Sequence, residues 1–201
     1  TLFGNKVSYL PTEVARLSKS LLTFTRHHSI IPNMNLSKPN YWIKEHGYFY
    51  AARILPRKNS KGKKAIEFDW NVNVNRKPIK DPKTDLKIIN YAFFVDTCVF
   101  GRPSLDNGKF GESHTDTGKH TAYDRLRRYT NPHPMHDKLI DEIHKAGGGK
   151  LYVRLAELGT ATYPSGKEEP RWEDVQKLED EHVQLFEEAK GYRPKFNPVG
   201  R

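Results

Sequence analysis

Between residues 89 and 188 the apolar positions change between strand-like runs and helical spacing. Short apolar runs predict three strands, which are INYAFFVD at 89–96, GKFGES at 108–113 and KLYVRLAEL at 150–158. Apolar residues three and four apart predict three helices, which are YDRLRRY at 123–129, MHDKLIDEIHKAG at 135–147 and VQKLEDEHVQLFEE at 175–188. In chain order these are strand, strand, helix, helix, strand, helix. That order predicts a mixed α/β (α+β) domain.

A different pattern precedes this region. Apolar residues at roughly helical spacing predict a helix over 11–28. Two β-rich runs, GYFYAARIL and IEFDWNVNV, flank the polar, glycine-containing loop PRKNSKGKKA and predict a hairpin. Residues 76–87 have the composition of a linker. We therefore expect an N-terminal helix-plus-hairpin extension over 1–83 and a second domain over 84–201.

The net charge of +10 is unevenly distributed. Residues 168–188 hold nine carboxylates against two basic residues, a local charge of −7, which leaves +17 on the rest of the chain. Such an excess favours a polyanionic partner. Basic proteins also include RNA-associated structural proteins, so the charge by itself does not identify nucleic acid as the substrate of an enzyme.

Part of this positive charge lies in the predicted hairpin loop. Its five basic residues are expected to cluster without an opposing acid, and they are Arg57, Lys58, Lys61, Lys63 and Lys64. A basic hairpin tip is either a solvated loop or a ribbon that follows DNA phosphates. Both interpretations stay open at this point.

Composition excludes several classes of site. Cys98 is the only cysteine, so neither a disulfide within the chain nor a cysteine-based zinc site is possible. No apolar run approaches the roughly 20 residues that span a bilayer, and no signal-peptide pattern is present. We expect a cytoplasmic protein without membrane contact.

Several residues in the second region have the order of a nuclease motif. Tyr91 lies in the apolar strand INYAFFVD, and Lys109 and Gly111 lie in GKFGES. Arg125 and Tyr129 follow in the arginine-rich helix. This arrangement resembles the GIY-YIG nuclease superfamily, and the K-x-G-x-S setting resembles its type II restriction endonuclease branch, in which a lysine replaces the second motif tyrosine.

The resemblance continues to the C-terminus. The family places a metal-binding glutamate on a late helix, and LEDEHVQLF offers both Glu179 and Glu181. Glu179 is preferred because Val183 and Phe186 follow it at helical spacing. GYRPKFN resembles the closing segment of the family and puts Asn197 at its asparagine position. The implied fold is a small antiparallel three-stranded sheet flanked by helices.

The resemblance also implies a role for each residue. Glu179 would hold Mg²⁺ or Mn²⁺, and Arg125, with its planar charged fork, would clamp the scissile phosphate. Tyr91 would orient or deprotonate the attacking water. Lys109 would lower the pKa of that phenol or act as the base itself. The supporting residues are His114, Tyr129 and Asn197, and the further phosphate contacts are Arg127 and Arg128.

A histidine-bound metal is the competing site hypothesis. Four histidines lie close together in the sequence, and they are His114, His120, His133 and His136. Their spacing matches no recognised zinc motif, so such a site would need a carboxylate from Glu112 or Asp116.

Taken together, the residues and the resemblance predict an endonuclease that cleaves double-stranded DNA as a type II restriction enzyme. Symmetric cleavage of both strands requires two copies of a one-strand site, so we expect a homodimer. The alternatives are a catalytically inactive nucleic-acid-binding module of the same fold and a phage or mobile-element nuclease.

Overall fold

The apolar run at 89–96 forms an interior strand of a five-stranded antiparallel sheet in the computed structural model. The described residues are 35–71, 79–86, 88–97, 101–113, 121–131, 133–156, 158, 160–162, 166, 168–171 and 173–197. All of them belong to one unit, residues 32–201. The predicted helix at 11–28 lies outside the described residues.

The described part of the chain contains the strands and helices predicted for 89–188 and four further short elements, at Pro39–His46, Pro82–Asp85, Thr160–Thr162 and Glu168–Pro170. The strands are β1 (Phe49–Lys58), β2 (Lys64–Trp70), β3 (Ile89–Asp96), β4 (Pro103–Ser113), β5 (Gly149–Leu155), β6 (Thr160–Thr162) and β7 (Glu168–Pro170). The helices are α1 (Pro39–His46), α2 (Pro82–Asp85), α3 (Ala122–Arg127), α4 (Asp137–Ala146) and α5 (Glu173–Lys190), and a 3-10 turn at Arg128–Thr130 continues α3. The predicted mixed fold is confirmed.

The main sheet has the strand order β2-β1-β5-β3-β4, and β6 and β7 form a separate two-stranded pair. The three predicted core strands are therefore neighbours, with β3 between β5 and β4. The sheet is nevertheless larger than the predicted three strands, because the hairpin β1–β2 pairs with β5 and continues the same sheet. Hydrogen bonding along β1 joins the hairpin to the sheet that carries the motif residues.

Helices cover both faces of this sheet, which explains why β3 has an unbroken apolar run from Tyr91 to Val95. On one face Tyr91 and Phe93 pack in a core with α3 and α4. On the other face Ala92 and Phe94 pack in a core with α1 and α5. Successive residues of a strand point to opposite faces, so a strand buried on both sides needs no polar alternation.

The segment predicted as a linker, residues 76–87, is described only at 79–86. Ile79 and Leu86 are buried in the same core as Tyr91, and the short helix α2 between them begins at the capping residue Asp81. This part of the chain is therefore packed structure. Among the described residues, no helix is both long and apolar enough to cross a membrane.

Candidate active site

Tyr91 and Gly111 form the centre of the candidate site. They pair directly across β3 and β4, so their side-chain positions share one face of the sheet. The Tyr91 ring occupies the space that a Cβ atom on residue 111 would fill. A glycine is therefore required here so that the buried phenol can lie across β4, the edge strand of the sheet.

Arg125 is positioned by the N-terminal cap of α3, which is not part of the nuclease motif. Thr121 and Asp124 form a reciprocal capping box at the first turn of α3, with the Thr121 N–H donating to Asp124 Oδ2 at 2.9 Å. Such caps satisfy backbone donors that the first helical turn leaves free. Arg125 follows at once, and its Nη1 lies 3.5 Å from Oε1 of Glu112 on β4.

Glu112 was not among the predicted catalytic residues. Its side chain is only 5% exposed, whereas Arg125 remains 39% exposed. The guanidinium thus has one side turned to a buried carboxylate and another open to solvent. The sequence signal for Glu112 was its place in K-x-G-x-S, next to the glycine, but an alternating strand gives no means of knowing that its side chain would reach Arg125.

The two glutamates of α5 occupy different environments. Glu179 is buried, with 7% exposure, and its Oε1 is 3.5 Å from Nδ2 of Asn197. Glu181 is 56% exposed and lies 3.8 Å from Lys177 on the outer face of the helix. The charge of Glu179, and not that of Glu181, acts on Tyr91 and Arg125.

Asn197 fastens the C-terminal segment to the edge strand. Its Oδ1 accepts from the Phe110 N–H at 2.8 Å, and its Nδ2 donates to the Phe110 carbonyl at 3.0 Å. The amide thereby replaces a missing strand partner for β4 between Lys109 and Gly111. Asn197 is thus a positioning residue for the K-x-G segment and for Glu179.

Electrostatics keep the Tyr91 phenol protonated. Burial raises its pKa well above the ordinary value, and Tyr129, hydrogen-bonded hydroxyl to hydroxyl at 3.1 Å, raises it further. The charge of Arg125 opposes this, and Glu179 adds to it. A cationic neighbour was expected to lower the pKa of Tyr91, but the net shift has the opposite sign. In this state Tyr91 is a hydrogen-bonding group and not a base.

Arg125 carries a secure positive charge. Its partial burial works against that charge, but Tyr91, Glu112, Tyr129 and Glu179 together raise the pKa of the guanidinium above its ordinary value. The same four groups are therefore near enough to act on Arg125. A permanently charged fork beside a phenol and two carboxylates is suited to hold a phosphate.

Lys109 and the histidines lie beside this centre. Lys109 pairs with Phe93, on the same face as Tyr91, and the ring of His136 stacks on Tyr129 with centroids 4.0 Å apart. Burial, followed by the charge of Lys109, lowers the pKa of His136 to about 4. His136 is therefore neutral at neutral pH and supports the Tyr129 ring.

The donor set fits a hard divalent cation bound through one carboxylate. Glu179 offers oxygen ligands, which Mg²⁺ prefers, and Mg²⁺ commonly keeps several waters and takes one or two protein carboxylates. Within the part of the chain that the structure describes, no group of three or more His, Cys, Asp or Glu residues could hold a metal. His133 and His136 belong to that part of the chain, whereas His114, His120 and Asp116 lie outside the described residues.

Comparison with known proteins gives little beyond this geometry. No family model and no curated protein sequence matches the chain. A solved structure described as "Restriction endonuclease HPY188I in complex with product DNA" matches at 14% identity and a TM-score of 0.41, covering 82% of this chain and 87% of that chain. A likeness at this level carries no argument about function, so membership of the GIY-YIG superfamily stays a prediction.

The basic hairpin residues are partly neutralised by acids from elsewhere in the fold. Arg57 Nη1 lies 3.5 Å from Glu67 on the neighbouring strand, and Lys64 Nζ lies 2.6 Å from Asp141 on α4. The view that the cluster lacks opposing acids is therefore wrong for these two. The remaining lysines of the loop, Lys58, Lys61 and Lys63, are exposed.

The hairpin turn itself has defined hydrogen bonds. The side-chain oxygen of Asn59 accepts from the backbone N–H groups of Lys61 and Lys63 at 2.9 and 3.0 Å. On α3 and its 3-10 continuation, Arg127 and Arg128 are both exposed. The hairpin edge strand β2 and the site edge strand β4 are separated by four strand spacings, roughly 19 Å.

A hydrogen-bonded series of side chains near Glu179, formed by Tyr48, His182 and His46, was not predicted from the sequence. Tyr48 Oη is 3.0 Å from His182 Nδ1, and His182 Nε2 is 3.2 Å from His46 Nδ1. Burial, then the charges of His46 and Arg154, lowers the pKa of His182 to about 3. His182 lies three residues after Glu179 on α5, so this series fixes the helix that carries the candidate metal ligand.

Proposed function

We propose that this chain is a Mg²⁺-dependent endonuclease that hydrolyses phosphodiester bonds of double-stranded DNA, acting as a type II restriction enzyme. The observation that carries the proposal is the convergence of Tyr91, Arg125, Glu112 and Glu179 at one edge of the sheet. A chain with net charge +10 supplies the attraction for a polyanion.

Arg125 has the first role in the proposed reaction. Its solvent-facing side is free to bind the scissile phosphate, while Glu112 holds the other side at 3.5 Å and fixes the plane of the fork. Electrostatic stabilisation of this kind works best when the charged group is held in place before the reaction. Glu112 is therefore a positioning residue for Arg125.

Tyr91 acts by orientation in this proposal. Its protonated hydroxyl, already hydrogen-bonded to Tyr129, offers a directed contact to the attacking water or to a phosphate oxygen. Removal of the water proton then falls to another group. Lys109, on the same face of the neighbouring strand, is the candidate that the chain itself offers.

Glu179 would hold Mg²⁺ or Mn²⁺, with Asn197 fixing the carboxylate. When bound, such an ion supplies positive charge for the oxygen that leaves phosphorus. One site of this kind cleaves one strand, so the proposal includes a homodimer on a palindromic sequence.

A supercoiled plasmid tests the proposal. Incubation with the protein and Mg²⁺ is expected to give nicked and then linear DNA, and EDTA is expected to prevent it. Glu179→Gln, which keeps the shape of the side chain but removes its charge, should abolish cleavage without weakening DNA binding. The matched variant Glu181→Gln, two residues along the same helix, should cleave normally.

The alternative functions give different results in the same assay. DNA binding without any cleavage under all metal conditions identifies the catalytically inactive binding module and refutes the enzyme. A defined set of fragments from many short sites agrees with restriction, whereas a single cut in a large genome agrees with a phage or mobile-element nuclease. If neither Glu179→Gln nor Glu181→Gln reduces cleavage, the assigned site has no basis.

A further inference from the structure

A concave feature lies on the opposite side of α3 from the candidate active site. It is a cleft of about 220 Å³ between the hairpin and α3, here called the Trp70 cleft. Its aromatic wall and polar rim are formed by Phe68, Trp70, Tyr123, Arg57, Glu67 and Arg127. Ligand pockets for drug-sized molecules are usually about 300–1,000 Å³. The smaller cleft suits a single planar ring system.

The wall of the cleft is a row of three tilted aromatic rings, of which two are partly accessible to solvent. The Trp70 ring lies 5.3 Å from Phe68 and 5.8 Å from Tyr123, measured between centroids. Phe68 is buried, whereas Trp70 and Tyr123 are only half-buried. Aromatic faces that remain accessible on a basic protein are surfaces on which nucleobases stack, and they accept any base because every base has a π-face.

The rim of the cleft provides hydrogen-bonding groups of both kinds. Arg57 and Glu67 face one another at 3.5 Å with both side chains about half exposed, so a donor and a carboxylate acceptor stand side by side. Arginine and glutamate pair with different base edges. Arg127 adds an exposed positive charge at the other side of the opening, where a flanking phosphate would lie.

The helix connects the cleft to the reaction centre. Tyr123 and Arg127 are four residues apart and share one face of α3, whereas Arg125 lies midway and points to the opposite face. A helix with its side chains is about 10 Å across. Successive phosphates of one DNA strand are about 3.4 Å apart along the axis. A base in the cleft would therefore lie roughly three nucleotides from the phosphate bound by Arg125.

We infer that the Trp70 cleft receives one base of the DNA substrate that has left its stack, with Trp70 and Tyr123 against the ring and Arg127 on the adjoining phosphate. The inference rests on the DNA-binding part of the proposed function. The base must be extruded because side chains inside a cleft cannot stack on a base that remains paired in the duplex.

Photocross-linking on the unmodified protein tests this directly. Duplexes carrying 5-iododeoxyuridine at successive positions are bound in EDTA, so that no metal-dependent cleavage occurs, and irradiated. Mass spectrometry is expected to locate the cross-link on Trp70 or Tyr123 for one position and not for its neighbours. Cross-links confined to residues outside the cleft overturn the inference.

Variants measure the contribution of the cleft. Tyr123→Leu keeps an apolar side chain but removes the ring, and it should weaken DNA binding about 5- to 150-fold, the range that corresponds to loss of one base–aromatic stack. Trp70→Phe keeps a ring and should retain most of the affinity. Unchanged binding by a folded Tyr123→Leu variant overturns the inference.

The source of the base is distinguished by a further titration. If a free deoxynucleoside monophosphate binds the cleft while DNA cross-links elsewhere, the cleft is a nucleotide site and the assignment to DNA is overturned. These results also separate the two proposals. If the protein cleaves DNA and Tyr123→Leu binds DNA as tightly as the wild type, the cleft inference is refuted and the nuclease proposal stands. If a base binds in the cleft but no DNA is cleaved, the nuclease proposal is refuted and the cleft inference stands.

Discussion

The buried histidine behind Glu179 predicts a specific loss of stability in mild acid. His182 is 2% exposed, and its pKa is about 3 in the folded protein against roughly 6.5 in an unfolded chain. The unfolded state therefore binds a proton as the pH falls through 6.5, and the folded state does not. The contribution is fully present above pH 6.5 and is lost as the pH decreases towards 3.

The magnitude follows from proton linkage. A proton bound only by the unfolded state changes the free energy of unfolding by about 1.4 kcal/mol per pH unit. Between pH 7.5 and pH 5.0, this gives a loss of about 2 kcal/mol attributable to His182. The value changes little if the folded pKa is one unit higher, because at pH 5.0 the folded form would still be almost unprotonated.

Urea unfolding at several pH values measures this loss. The wild type is compared with His182→Gln, and the difference between their pH profiles isolates the one imidazole from the other titrating groups. The loss of stability from pH 7.5 to 5.0 should be about 2 kcal/mol smaller in the variant.

Parallel profiles for the wild type and His182→Gln would refute the reasoning. They would mean that His182 is protonated in the folded state as readily as in the unfolded state. The groups that the structure places beside it would then not be the ones that set its pKa. The groups that act on it in the structure are His46, Tyr48 and Arg154, of which Arg154 and His46 disfavour the imidazolium.

Three further predictions follow from the site and the hairpin. Gly111→Ala places a methyl group inside the Tyr91 ring and should cost about 1–3 kcal/mol in urea unfolding; an unchanged midpoint would contradict the close approach of ring and strand. Tyr91→Phe should lower the single-turnover cleavage rate by roughly 10² to 10⁴, whereas Tyr129→Phe, which removes only the second hydroxyl of the pair, should lower it less, and equal losses would contradict a direct role for Tyr91. Replacing the exposed loop lysines with alanine should reduce the slope of log K against log[salt] by up to about 2.7, and a slope unchanged in DNA-binding titrations would show a loop without phosphate contacts; these lysines are Lys58, Lys61 and Lys63. Lys64→Ala should change this slope less, because Lys64 already forms an ion pair with Asp141.

Local sequence predicted the elements because each depends on short-range pattern. INYAFFVD has no polar alternation, and the structure buries it on both faces as β3. The spacing of Val183 and Phe186 behind Glu179 predicted that these residues share a helical face, and all three are buried on α5. Hydrophobic burial acts on every apolar side chain, so its period can be read without knowledge of the partner.

Interactions between distant parts of the chain could not be predicted in this way. The hairpin joins the main sheet because β1 pairs with β5, which lies about a hundred residues later in the chain. Backbone hydrogen bonds between strands form with any residue type, so the sequence does not indicate which strands pair. The same holds for the pairing of Lys64 with Asp141 on α4. These contacts changed the expected strand number and the charge of the hairpin.

The sequence determined which residue types are available for phosphate chemistry, because tyrosine, lysine, arginine and glutamate occur in a motif-like order. Only the tertiary structure decided their states. Burial against Gly111 and Tyr129 keeps Tyr91 protonated, Glu112 becomes the partner of Arg125, and Asn197 lies against Glu179 while Glu181 faces solvent. Protonation and ion pairing depend on desolvation and on distances of a few ångströms, and these exist only once the chain is folded.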